Sequence, residues 1–379
     1  MSTISRGWLV LDITDSAFMV TAINATGLIP TLVFSLVGGV IADRMNKRLV
    51  LITSDAISLV TLGILSVLIL ADLIQLWHIF GLTLIHGSSF AIGMPSRASL
   101  VSNLVSSNDM SSGVALFTTI FSAGQMVGPG VAGFLIDSYG MVTPFITATS
   151  ILILAILLLL KLEPIVVVGQ VKGEKGSSIL ESILEGLDYV RKHGILFGLI
   201  FMGAAATVFA LPYQTLLPVF ARDVLEVGAS GLGWLGAMTG AGAIVGSITV
   251  ASLDNTKFMK VLMLVGSIAL GCLIVLFAIS TDYLLSRVIL FCLGFSFQIF
   301  MTSNFTFVQL IAPEYIRGRV LSIRMIAFGL SPIGMILLGT STEFFGPVIA
   351  TAITGAMSVV LLASIIIFIP SLRHVDRST

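Results

Sequence analysis

The 379-residue sequence predicts an all-α membrane protein of two six-helix bundles, with the first helix only half present. Three observations predict it. The chain is 56% hydrophobic and 10% charged, with a mean hydropathy of +1.10, whereas soluble domains carry about 25% charged residues. Apolar stretches of membrane length recur from end to end, and the second half repeats features of the first.

A helix needs about 20 apolar residues to cross a hydrocarbon core of ~30 Å. On that measure the first half spans the membrane over residues 17–41, 49–71, 76–101, 113–136 and 143–162. The second half does so over 194–220, 230–252, 258–280, 283–311, 320–340 and 346–369. Residues 1–11, before the turn "DITDS", reach only about 16 Å as a helix, half a bilayer. They read as the second half of a first span whose beginning is missing; a re-entrant or interfacial piece is the alternative.

Apart from Arg6, Arg222 and Arg287, every Lys and Arg falls at one set of span ends. The positive-inside rule places that set in the cytoplasm, together with the central connector and the C-terminus of a multi-pass cell-membrane protein. The expected division is an N-terminal bundle over 1–162, a connector over 163–193 and a C-terminal bundle over 194–379. Within the connector, Ile179, Ile183, Leu184, Leu187 and Val190 recur at helical spacing. That pattern predicts an amphipathic helix at the cytoplasmic surface.

The two halves echo each other. "GSSFAIGMPSRASLV" beginning at Gly87 parallels "GFSFQIFMTSNFTFV" beginning at Gly294, which sets Arg97 against Asn304. "GGVIAD" ending at Asp43 parallels "TVASLD" ending at Asp254. Parallel six-span repeats are a transporter architecture with substrate bound near the midplane.

Composition also excludes. Zero net charge argues against nucleic acid as a partner, which needs clustered Lys and Arg. Cys272 and Cys292 lie inside apolar stretches and read as small hydrophobes. No phosphate loop, His-Glu-x-x-His motif or dense His/Asp/Glu constellation is present, so neither a cofactor nor a metal is expected. The chain does not read as an enzyme, and it lacks the soluble output domain of a sensor.

"GGVIADRMNKR" gathers Asp43, Arg44, Lys47 and Arg48 behind Gly39. It resembles the Gly-x-x-x-Asp-Arg-x-Gly-Arg-Arg loop of the major facilitator superfamily, with Lys47 for Arg and Asn46 for the usual Gly. "AGQMVGPGVAGFL" resembles that superfamily's antiporter motif, matching at Gly124, Gly128, Pro129 and Gly133, while Ala132 replaces a second Gly. "MPSRASLVSNLV" and "APEYIRGRVLSIR" resemble its exporter branch, which contains the enterobactin exporter and macrolide-efflux-type permeases. The resemblance implies the major facilitator fold, pseudo-two-fold symmetry and alternating access.

It also implies that Gly39, Asp43, Arg44, Lys47 and Arg48 form a gating latch, with Asp43 at a helix N-terminus near residues 318–321 and Arg97 bracing it. A topogenic basic loop is the plainer reading. The fifth-span motif implies a bent, tightly packing helix; an ordinary small-residue seam is the alternative. In the second half, Asn255 replaces the latch Arg, and Phe258 and Met259 replace the basic pair.

Polar residues inside spans are functional candidates. Arg6 can bind an anionic or carbonyl-rich substrate, or pair with Asp12 or Asp15. His86 and Asp55 are candidate proton carriers, with packing and latch-capping as their structural alternatives. Asn24, Gln125, Gln214, Gln298 and Asn304 are candidates to line a cavity. The expected function is proton-coupled export of a small amphipathic compound, a drug, siderophore or metabolite, by a monomer in the lipid bilayer. Import or facilitated diffusion is the competing transport reading. Substrate identity is not legible.

Overall fold

The computed structural model describes residues 1–44, 46–104, 110–161, 179–253 and 256–369. All regular structure among them is helical: α1 (Ser2–Thr14), α2 (Ala17–Arg44), α3 (Lys47–Leu70), α4 (Leu76–Leu104), α5 (Met110–Tyr139), α6 (Thr143–Lys161) and α7 (Ile179–Lys192) come first. Then α8 (Gly194–Ala205) passes through a π-turn (Ala206–Ala210), a 3₁₀ segment (Leu211–Leu216), the single turn α9 (Leu217–Val219) and a second π-turn (Phe220–Val224). The chain ends in α10 (Gly228–Ala251), α11 (Thr256–Ile279), α12 (Tyr283–Ile311), α13 (Glu314–Phe328) and α14 (Ser331–Phe368). Each expected span falls on helical chain. Among the described residues, seven stretches are long and apolar enough to cross a membrane.

Two spans differ from expectation in form. The span at 194–220 is not a regular helix, because Pro212 and Pro218 lack the N–H that would continue it. Neighbouring carbonyls are satisfied by i→i+3 and i→i+5 closures instead. The span expected at 320–340 starts earlier, at Glu314 after Pro313, breaks after Phe328 and resumes at Ser331. The 55 residues Glu314–Phe368 would extend roughly 80 Å as one helix, far more than one crossing. Gly346 breaks them into two helices across a kink: its φ of 75° is open to glycine at little steric expense, and Pro347 follows.

By their contacts the residues fall into two compact units, Met1–Gly173 with Val227–Gly233, and Glu174–Glu226 with Trp234–Thr379. The first turn of α10 therefore belongs to the first unit. In that unit α2 and α4 cross closely at Gly27 and Gly87, where a Cβ on Gly87 would overlap the Gly27 carbonyl. In the second unit a Cβ on Gly294 would overlap the Thr239 carbonyl in the same way. The Gly87–Gly294 pairing is thus the same helix crossing built twice.

Polar ladders join the helices where lipid offers no alternative partner. Ser54 Oγ donates to the Ser89 carbonyl at 2.8 Å, and Ser58 Oγ lies 3.2 Å from Ser89 Oγ, so three serines lace α3 to α4. In the second unit Asn304 Nδ2 donates to the Leu199 carbonyl at 2.8 Å, tying α12 to α8. Phe277 receives Phe220 at 4.7 Å and the edge of Tyr213 at 6.2 Å. The helix α7 docks on α13 through the Arg319–Glu185 ion pair at 2.6 Å and the Tyr189–Tyr315 ring contact.

Candidate functional site

The basic loop joins α2 to α3. The side chains of Gly39, Asp43 and Arg44 lie outside the described residues, as do Asp254 and Asn255 of the parallel loop. The following residues are built for specific contacts. Asn46, the departure from the superfamily pattern, caps α3 by accepting the Arg48 amide at 3.0 Å. That is work a glycine side chain cannot do. Arg48 donates through Nε and Nη2 to the carbonyls of Leu159 and Leu160 at 2.9 and 2.7 Å. These are the free carbonyls closing α6, where a cation also suits the helix dipole. Lys47 is half-buried beside it.

One turn or two further along α3, Asp55 is ion-paired with Arg97 of α4. The two candidates drawn separately from sequence form one brace, with its carboxylate buried and its arginine partly open. Gly93 sits where a Cβ would overlap Ser54 Oγ, so α3 and α4 are in direct contact just above it.

The fifth-span motif lies within α5, and Pro129 is inside the helix. Its glycines have unequal surroundings. Gly124 is exposed with open space where a Cβ would stand. A Cβ on Gly128 would lie 3.0 Å from the Met1 nitrogen, at the start of α1. Gly133 packs against Ala229 and Gly233, and a Cβ on Gly233 would lie 2.9 Å from the Pro129 carbonyl. One turn on, Asp137 accepts the Ser230 amide at 2.9 Å and so closes the α10 N-terminus.

The polar residues at depth divide. Gln125 and Gln214 are exposed. Asn24 bonds back to the Val20 carbonyl at 2.8 Å, and Gln298 donates to Thr302 at 2.9 Å, both on their own helices. Asn304 is fully buried and holds Leu199, with Arg324 Nε at 3.4 Å from its Oδ1. It is a brace within the second unit.

Arg6 and His86 converge. With Thr61, Leu62 and Leu65 of α3 and Leu82 and Thr83 of α4 they line a narrow crevice with no space for a water-sized sphere. Arg6 does not pair with Asp12 or Asp15; its bonds run to the Ser2 carbonyl at 3.2 Å and Ser2 Oγ at 3.5 Å. Thr83 Oγ1 and His86 Nδ1 have no hydrogen-bond partner among the described residues. Thr83 was not singled out from sequence. Its signal was there, since Thr83 and His86 are three apart and share a helix face.

Two membrane-buried helical units, a repeated helix crossing and a broken seventh span define a transporter of the major facilitator type. The family model of the transmembrane secretion effectors matches residues 1–379, and the chain belongs to that family. It is 26% identical to the multidrug efflux pump Tap of Mycolicibacterium fortuitum, over 98% of this chain and 92% of Tap. The enterobactin exporter EntS of Escherichia coli is 24% identical over 89% of this chain and 80% of EntS. Among solved structures, a variant of the nucleoside transporter NupG superposes with a TM-score of 0.75 at 14% identity, covering 96% of this chain and 94% of that one. That likeness concerns the fold alone.

Proposed function

We propose that the chain is a secondary active exporter that exchanges protons for a small amphipathic compound by alternating access. The full-length family match carries this reading. Tap and EntS, an efflux pump and a siderophore exporter by name, support outward transport of drug-like or siderophore-like compounds. The antiporter-type run Gly124, Gly128, Pro129 and Gly133 supports proton coupling, with the protein acting as a monomer. The excess of Lys and Arg at one set of span ends supports a cytoplasmic connector and C-terminus. Asp43 and Arg44 serve as the gating latch, with Lys47 and Arg48 seating it on α3 and α6.

The test is efflux from cells loaded with fluorescent amphipathic compounds of either charge. Export collapses when a protonophore dissipates the gradient and persists when ATP is depleted with the gradient clamped. Asp43→Asn slows it at matched abundance. Export against a concentration difference without the gradient would remove proton coupling, and full rate in Asp43→Asn would remove the latch.

A further inference from the structure

Arg6 is buried among the helices of the first unit, whereas Arg324 of the second is half-buried, and their surroundings differ. Arg324 of the second unit lies over the Phe305 ring at 4.8 Å and donates toward the Met301 carbonyl and Asn304 Oδ1, each at 3.4 Å. A ring face and two oxygens share its charge. Arg6 of the first unit is 8% exposed and has Ser2 alone. No described carboxylate lies within ion-pairing distance of it. A buried guanidinium without an opposite charge is among the more expensive arrangements a protein interior can hold.

Its neighbours share the deficit. Thr83 is 4% exposed with its hydroxyl unpartnered, and His86 Nδ1 is unpartnered beside it. The crevice has no room for the water that would otherwise satisfy them. A guanidinium without a counter-charge and two groups without a hydrogen-bond partner face one small space, and all three can donate to the same oxygen-bearing anion.

The fold does not require them there. The crossing repeated at Gly87 and Gly294 places Thr83 and His86 opposite Leu290 and Leu293, and both leucines are fully buried. At these two positions the second unit carries hydrocarbon instead. The polar set is an addition to the first unit alone.

We propose that Arg6, Thr83 and His86 form a binding subsite for an oxyanion, a carboxylate carried by the exported compound. This rests on the exporter reading above and names the chemical class that it leaves open. The guanidinium swings off Ser2 on its flexible stem and takes the carboxylate in a two-pronged contact, the arrangement in which Arg and carboxylate pair best. Thr83 and His86 complete the shell from α4. The crevice is closed around these groups when empty and widens on loading. The ligand then supplies the missing counter-charge, so filling the subsite stabilises the protein.

The experiment uses the full chain purified in neutral detergent, with the apparent midpoint of thermal unfolding as readout. The probes are 1-naphthoate and octanoate, with uncharged 1-naphthamide and sodium chloride as controls. Both carboxylates raise the midpoint saturably; the amide and chloride do not. Arg6→Gln weakens naphthoate at least about tenfold, the loss of one charge-assisted contact. It also raises the ligand-free midpoint, because it removes an unpaired buried charge; an arginine that merely holds the fold would lower it. Thr83→Leu with His86→Leu, which installs the pattern of the second unit, weakens naphthoate several-fold without touching Arg6. An equal response to amide and carboxylate, a shift by chloride alone, undiminished binding in Arg6→Gln, or no saturable response to either carboxylate would each overturn the subsite. Binding through Arg6 without gradient-driven efflux would remove the exporter reading and leave the subsite standing. Efflux without Arg6-dependent binding would do the reverse.

Discussion

Asp55→Asn destabilises the first unit by about 3 kcal/mol, the lower end of the loss expected when a buried ion pair is broken from one side. The Asp55 side chain is 7% exposed and that of Arg97 is 34% exposed, so water reaches the arginine and softens the penalty. What remains is a guanidinium facing a neutral amide beside the Ser54–Ser89 contact. Removing both charges together, as Asp55→Asn with Arg97→Gln, restores most of the loss, since two neutral amides can bond to each other. The measurement is the apparent thermal midpoint of the purified protein for the two single variants and the double variant. Additive losses in the double variant would show that the pair does not act as a unit. Efflux separates the two functions proposed for Asp55. A brace predicts gradient-driven efflux in the double variant once stability returns; a coupling-proton carrier predicts a stable protein that no longer couples.

That pair shows where the sequence was legible and where it stopped. The spans were readable because apolar length is a local property, and the paired motifs at Gly87 and Gly294 were readable because repetition survives in one chain. Asp55 and Arg97 were each singled out as candidates, but 42 positions of chain separate them, and a ladder between helices leaves no local trace. The same holds for Arg48, whose charge was plain while its partners at the end of α6 were not. Asn46 was visible as a departure from a pattern and became intelligible only as the cap of α3. The broken span at Gly194–Val224 carried its signal openly in Pro212 and Pro218. Its π and 3₁₀ turns close the carbonyls that the two prolines leave without a partner. Gln125 and Gln214 were chosen for polarity at depth, and they are exposed, as a residue facing either lipid or an open cavity is. Polarity alone does not say which way a helix is turned.

Glycines of the α5 motif respond to substitution with opposite signs. Gly133→Ala places a methyl group against the Ala229 carbonyl and within 2.9 Å of the Gly233 backbone. Backbone atoms cannot rotate aside as a side chain does, so the cost is at the upper end of overpacking, about 3 kcal/mol. Relief requires α5 and the first turn of α10 to separate, which also stretches the Asp137–Ser230 bond. Gly124→Ala meets nothing within 4 Å. It gains up to about 1 kcal/mol in helix propensity, because alanine loses less backbone freedom than glycine. Thermal midpoints therefore move down for Gly133→Ala and up, or not at all, for Gly124→Ala. Efflux rates at matched abundance say what the motif is for. A packing seam predicts that Gly124→Ala transports normally, since it alters no contact. A helix that must bend at this run predicts slowed transport in Gly124→Ala despite its higher midpoint, because a stiffer α5 resists the change of shape. Equal midpoints for the two variants would mean that the close approach at Gly133 is not present in the folded protein.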